Sequence, residues 1–266
     1  MTVDTRTLVE RYLEEVRERL FAVERDQAAP IAAAGALIAR TVELYGLIHT
    51  FGTGHSHLLA EEIYSRAGGL LPVNAIESPP LMLHEDVVAS GAWERLSGVA
   101  AILLEHAAID PDADLLVVIS NSGRNATPVE AAEWARDRGM PVIAVTSLAH
   151  SRSLPSLAPS GRHLHEVASV VLDNLGEPGD ALVEVGPHLR AAASSTVMGA
   201  CLLQCATLSA IEGCVHRGVQ PPLLVSSNTP GAADANAQML RDYPGRLPAT
   251  FERLRQRTRA RDEVRP

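Results

Sequence analysis

The sequence predicts a three-layer α/β/α domain, with a mainly parallel sheet of about five strands, helices on both faces, and two helices ahead of it. Three observations carry that expectation. From residue 47 onward, short apolar runs alternate with amphipathic segments, the order of a parallel sheet joined by crossover helices. Several runs are continuously apolar rather than alternating, as strands covered on both faces are. The 266 residues are enough chain to bury one large α/β core.

Each element follows from local pattern. Val9, Leu13, Val16, Leu20 and Val23 recur at three- and four-residue steps among Glu and Arg, which predicts an amphipathic helix ending before Pro30. Ile31, Ala34, Ile38, Val42 and Tyr45 form the apolar face of a second helix, closed by Gly46. Strands are expected at 47–51, 72–76, 115–119, 141–146 and 169–172, with helices at 58–67 and 128–138. Segment 191–211 carries no charge, but Ser194, Ser195, Thr196, Gln204, Thr207 and Ser209 make it too polar for a comfortable membrane span, so it reads as a buried helix. The Arg-rich end reads as a solvated helix or tail. With no internal repeat or low-complexity linker, the expected organisation is a helical extension over 1–46, one domain over 47–245 and a tail over 246–266.

Composition narrows the function. Net charge is −9, and all 23 basic residues are Arg. Without Lys there is no Schiff base, no Walker lysine and no Ser–Lys nucleophile pair. Nine aromatic residues and an acidic balance argue against nucleic acid as a partner. The charged start MTVDTRTLVERYLEEV lacks the apolar core of a secretory signal. Three cysteines, with Cys201 and Cys205 one helical turn apart, read as small core residues of a reducing compartment. The expectation is a cytoplasmic chain with no membrane partner.

Two loops carry the chemistry. Phe51-Gly52-Thr53-Gly54-His55-Ser56-His57 joins the first strand to a helix. Its glycines allow close backbone approach to an anion, and Ser56 adds a hydroxyl. A dinucleotide fingerprint would need glycine where His57 stands, and a nucleophile elbow would need it at Leu58. The second loop, Ser120-Asn121-Ser122-Gly123-Arg124-Asn125-Ala126-Thr127, follows the third strand and precedes Pro128. Hydroxyl and amide side chains at a helix start form a donor nest without lysine or a metal-binding acid, which suits a phosphate monoester better than a nucleoside triphosphate with Mg²⁺.

These two loops, the strand Pro141-Val-Ile-Ala-Val-Thr-Ser147, and Gly186-Pro187 followed by Ser194-Ser195-Thr196 at the start of a long apolar helix resemble the SIS (sugar isomerase) phosphosugar-binding domain. The resemblance covers roughly residues 30–215. The chain looks closest to a bacterial branch of that family related to phosphoheptose isomerases and N-acetylmuramic acid 6-phosphate etherases; Leu81-Met-Leu-His-Glu85 and segment 227–236 are similar to that branch. The resemblance implies a flavodoxin-like topology, a sugar phosphate as ligand, and a homodimer or homotetramer. It also implies a phosphosugar site at Gly52, Gly54, His55, Ser56, Ser120, Asn121, Ser122, Gly123, Ser195 and Thr196, completed by Asn125 or Thr127.

Isomerisation of a sugar phosphate, and etherase chemistry alike, need a base for a carbon-bound proton and an acid. The candidates are Glu62 or Glu85 as base and His84 as acid. Glu61 and Glu62 are about 100° apart on a helix, so one can face the cleft; Arg66, four residues after Glu62, offers an exposed ion pair instead. Glu77, His84, Glu85 and Asp86 follow the second strand around Pro79 and Pro80, where Glu85–Asp86 can equally cap a helix. His55, His57 and Glu61 are close enough in sequence to be weighed as a zinc site, but no Cys joins them, and no cofactor is assigned. The expected activity is aldose–ketose isomerisation of a sugar phosphate. The alternatives are an etherase-like lyase and a non-catalytic phosphosugar-sensing module, the latter without an evident helix-turn-helix.

Overall fold

The computed structural model describes residues 6–263. In order they form α1 (Leu8–Asp26), α2 (Ala28–Glu43), β1 (Ile48–Gly52), a 3-10 turn (Gly54–Ser56), α3 (His57–Glu62), β2 (Val73–Ile76), α4 (Val87–Trp93), α5 (Val99–Glu105), β3 (Leu115–Ile119), α6 (Ala126–Arg136), β4 (Val142–Thr146), α7 (Leu148–Ser153), α8 (Leu164–Val167), β5 (Val170–Asp173), β6 (Ala181–Gly186), β7 (Leu189–Ala193), α9 (Ser195–His216), α10 (Ala232–Asp242) and α11 (Ala249–Glu263). The five expected strands pair in parallel in the order β2-β1-β3-β4-β5.

Two apolar layers cover the sheet, which makes three layers in all. Ile48, Val117, Ile119, Ile143 and Val145 pack on one face against Ile38 of α2, Leu59 of α3 and Leu202, Leu203 and Ala206 of α9. Phe51, Leu116, Val118, Val142 and Ala144 pack on the other against Leu104 of α5 and Val129 and Ala132 of α6. Every residue of β1, β3 and β4 is buried; β3 is accordingly an unbroken apolar run, and β1 buries His49 and Thr50 with hydrogen bonds to Asp114 and Ala60 O.

The strand order sets the site. From β1 the chain crosses to β2 on one side, then returns to β3 on the other side of β1. The loops leaving β1 and β3 therefore diverge at the carboxyl edge and open a crevice between them.

Several elements differ from the sequence expectation. The helix after the first loop stops at Glu62, and Ser65 takes a left-handed φ of 50°. That early stop turns the chain so that Gly68 N–H donates to Leu224 O (2.7 Å) and Leu71 N–H to Pro222 O (2.8 Å). Residues 191–193 belong to β7, the second strand of a hairpin with β6 whose turn holds His188 at φ 61°. α9 is the one described helix long and apolar enough to cross a membrane; Met198, Leu202, Ala206 and Ala210 form its buried face. α1 begins with a Thr7–Glu10 capping box, yet only Val23 of its apolar residues is buried.

The Arg-rich C-terminal segment starts with buried contacts. Leu247 and Phe251 pack with Leu71, Leu224, Leu240 and Tyr243. Arg246 Nη1 donates to both oxygens of Asp114, at 2.6 and 2.7 Å. The buried Asp114 also accepts from Leu47 N–H (2.7 Å), Asp110 N–H (2.8 Å) and His49 Nε2 (3.0 Å). Those bonds, and that of Arg246, hold its carboxyl below the usual range against the opposing effect of burial.

Candidate functional site

A cleft of about 270 Å³ opens at the crevice between the β1 and β3 loops. Gly54, His55 and Ser56 line it from the first loop, and Ser120, Asn121, Ser122 and Asn125 from the second. A neighbouring hollow of about 110 Å³ shares His55, Ser56 and Asn121 and adds Ser195, Thr196 and Asp180. Nine of the twelve residues expected to hold a phosphosugar thus surround one continuous region.

Local chemistry shapes each loop. A Cβ on Gly52 would run into the Ser56 carbonyl, so only glycine lets the first loop fold back this tightly. Gly123 has φ 56°, and a Cβ there would lie 2.9 Å from Thr146 Oγ1; its N–H donates to Ser120 Oγ (3.2 Å). Asn121 is anchored by three bonds, its carbonyl accepting from Ser147 N–H (3.0 Å) and Thr146 Oγ1 (3.2 Å) and its Oδ1 from Asn174 Nδ2 (2.8 Å). The Ser56 and Ser122 hydroxyls, in contrast, are engaged by no group among the described residues. The cleft wall includes no Arg, so an anion there would meet hydroxyls, amides and imidazoles alongside the Glu94 carboxylate.

Thr127 stands apart from the cleft. Its hydroxyl is buried and donates to Trp93 O (3.1 Å). Asn125 lines the cleft at the start of α6, and its Nδ2 donates to Glu94 Oε1 (2.7 Å). Ser195 borders the hollow, but its N–H (2.9 Å) and Oγ (2.5 Å) both donate to Asp180, which also accepts from Ser194 N–H (3.2 Å).

The expected acid–base residues fall outside the cleft. Glu62 accepts from Arg66 (2.9 Å) and from Gln204 Nε2 of α9 (3.1 Å). His84 and Glu85 are exposed, 3.6 Å apart, and His84 stacks edge-on to His57 at 5.9 Å. Asp86 is the residue that caps α4, accepting from Val88 and Ala89 N–H at 2.8 Å each. His57 Nδ1 donates to the Gly54 carbonyl (2.5 Å) while His55 faces the cleft, and no group of three metal-ligating side chains gathers among the described residues. Glu77 is pushed up to about 7 by partial burial and by its hydrogen bond to the neighbouring Glu61, with His57 pulling the other way.

Two titratable residues of the cleft wall were missed by sequence reasoning. Glu94, just past α4, and His150, on α7, both line it. His150 lies in the first turn of the helix that directly follows β4, whereas Glu94 belongs to no strand-end loop or motif. Glu94 lies 26 residues before Ser120, with α5 and β3 between, and no local pattern in the sequence marks it.

A larger cleft, about 900 Å³, lies elsewhere, beside edge strand β2 and between α5 and the C-terminal segment. Asn74, Glu77, His106, Arg246 and Arg255 are among its lining. Its best cation is already spent on Asp114, and it lacks a loop of converging donors. The smaller cleft sits at the sheet's switch point, where ligands of this architecture bind.

Comparison with known proteins identifies the family. Residues 11–147 match the family described as SIS domain. A UPF0309 protein of Geobacillus thermodenitrificans is 37% identical over 246 residues, covering 92% of this chain and 98% of its own. A UPF0309 protein of Brucella canis is 38% identical over 242 residues, covering 91% and 98%. Among solved structures, a phosphoheptose isomerase from Francisella tularensis is similar at 19% identity and a TM-score of 0.49, over 77% of this chain and 96% of that one. Another from Neisseria gonorrhoeae is similar at 22% identity and a TM-score of 0.49, over 76% and 98%.

Proposed function

We propose, from the premise that the chain belongs to the SIS domain family and to its UPF0309 branch, that it binds a sugar phosphate in the cleft between the β1 and β3 loops and isomerises it between aldose and ketose forms. One observation carries the reading: two separate loops bring uncharged donors, Ser56 from one and Ser120, Asn121 and Ser122 from the other, to a single crevice at the switch point of the sheet. The phosphate would take the hydroxyls and amides of the second loop. The sugar chain would extend along the cleft toward its titratable wall. Isomerisation then needs only proton movement between adjacent carbons, for which no cofactor is required.

Two further expectations belong to this reading. The chain works in a cytoplasm, which its three free cysteines suit. It also pairs with a second copy, because Leu8, Val9, Leu13, Leu20 and Phe21 leave the apolar face of α1 uncovered in a single chain.

Thermal stabilisation by hexose and heptose phosphates tests the binding. A ligand held only by the folded state raises its stability in proportion to ln(1 + [L]/Kd). Each donor removed should weaken binding by about 1–2 kcal/mol. Stabilisation of the parent that disappears in Ser120→Ala with Ser122→Ala is the expected result. A double variant stabilised as much as the parent would put the phosphate somewhere else.

A further inference from the structure

The 270 Å³ cleft has one carboxylate in its wall, Glu94. Its position is fixed from several directions. Ser90 Oγ donates to Leu81 O (2.9 Å), which ties α4 to the segment before it. Thr127 N–H donates to Glu94 O (3.0 Å), which ties the end of α4 to the start of α6. The side chain is only 17% exposed. Thr53 Oγ1 donates to its Oε2 (2.9 Å) and Asn125 Nδ2 to its Oε1 (2.7 Å). The carboxylate therefore bridges the two donor loops, with one bond from each, and each oxygen keeps further acceptor capacity. Burial raises its proton affinity above the ordinary carboxylate range, against smaller opposing effects from Thr53 and from Arg95, 3.7 Å away. His150 lines the same cleft, and its Nδ1 is buried without a hydrogen-bond partner among the described residues. Burial holds this imidazole toward its neutral form, with Asp180 opposing and Arg124 reinforcing that shift.

Resting on the sugar-phosphate reading above, we propose that Glu94 is the catalytic base that moves the carbon-bound proton, and that His150 relays the proton between the two sugar oxygens. The Glu94 carboxylate takes the proton from C2 of the aldose. The C2–H electron pair becomes the C1–C2 double bond, and the carbonyl pair moves onto O1. O1 takes a proton from His150, which recovers one from the C2 hydroxyl. As the carbonyl forms at C2, the double-bond pair takes the proton from Glu94 at C1. Both residues end as they began, and no oxidant, reductant or metal enters the balance.

This assignment departs from the carboxylates nearest the first loop. Glu62 is bonded to Arg66 and Gln204, and His84 and Glu85 are 62% and 56% exposed. Substrate proton transfer needs a group inside the cleft and shielded from water, and Glu94 meets that condition.

The experiment incubates glucose 6-phosphate, fructose 6-phosphate, N-acetylglucosamine 6-phosphate and sedoheptulose 7-phosphate with the protein in D₂O, following deuterium incorporation by NMR and binding by thermal shift. Glu94→Gln preserves shape and can still meet Asn125 and Thr53. The expected result is exchange at C2 of at least one aldose with the parent, reduced about 100-fold or more in Glu94→Gln, with that sugar's thermal stabilisation retained. His150→Gln should slow aldose–ketose conversion while leaving binding intact. Exchange by Glu94→Gln at the parental rate overturns the proposal. So does a parent that binds these sugars without exchange, or a Glu94→Gln that loses binding together with exchange. A parent that binds none of them removes the sugar-phosphate reading itself, a distinct outcome.

Discussion

Glu77 illustrates how single residues acquire chemistry from their neighbours. Glu61 lies on α3 and Glu77 follows β2, and the fold brings the two carboxyls into hydrogen-bonding contact, so that Glu77 is pushed up to about 7 by partial burial and then by Glu61. An unfolded glutamate loses its proton near pH 4.3. A raised folded value means that the protonated state is favoured by folding, so stability is present below the unfolded value and falls as pH rises toward 7. Glu77→Gln should therefore match the parent in melting temperature at pH 4 and exceed it at pH 8. Equal melting temperatures at both pH values would rule out a shared proton. The donors of the two loops were legible because Gly52, Ser56, Ser120 and Ser122 stand in contiguous strand-to-helix turns. Glu94 was not, because its direction depends on how α4 crosses the end of the sheet. The choice between Asn125 and Thr127 was open for the same reason: both sit at the start of α6, and only packing decides that Thr127 turns inward to Trp93.

Among the elements, α2 packs along α9, and Gly35 is one point of contact. A Cβ at Gly35 would overlap the Ser209 side chain and come within 3.0 Å of the backbone N of Ala210. Gly35→Ala gains up to about 1 kcal/mol in helix propensity. Overpacking against a backbone costs about 1–3 kcal/mol. A net loss in denaturant unfolding is expected, and a stabilised variant would show that the helices have room to separate. The strands of the main sheet were readable because burial on both faces leaves a continuous apolar run. The β6–β7 hairpin was hidden because all of β7 is exposed, and Leu-Arg-Ala-Ala-Ala carries no alternation to mark a strand. The α3 helix ran longer in the sequence because its apolar spacing continues past Glu62, while the path of the chain beyond it is set by the pairing of Gly68 and Leu71 with Leu224 and Pro222.

Across the whole molecule, the uncovered apolar surface and the cleft belong to one account. α1 exposes Leu13 and Phe21, and α9 exposes Val197, Leu208 and Val215 on the side away from α2. A chain of 28.3 kDa with such faces is expected to sediment as a dimer or tetramer, and a single species of monomer mass at micromolar concentration would remove that expectation. The cleft and the larger hollow beside β2 offer a direct contest over where an anionic sugar goes, since the first has neutral donors and the second has Arg246 and Arg255. The decisive measurement is a crystal structure of the full chain soaked with a hexose 6-phosphate. The phosphate is expected within hydrogen-bonding reach of the Ser120 and Ser122 hydroxyls, with the sugar directed toward Glu94. A phosphate seated on Arg246 or Arg255 beside β2, with the switch-point cleft holding solvent alone, would contradict that expectation.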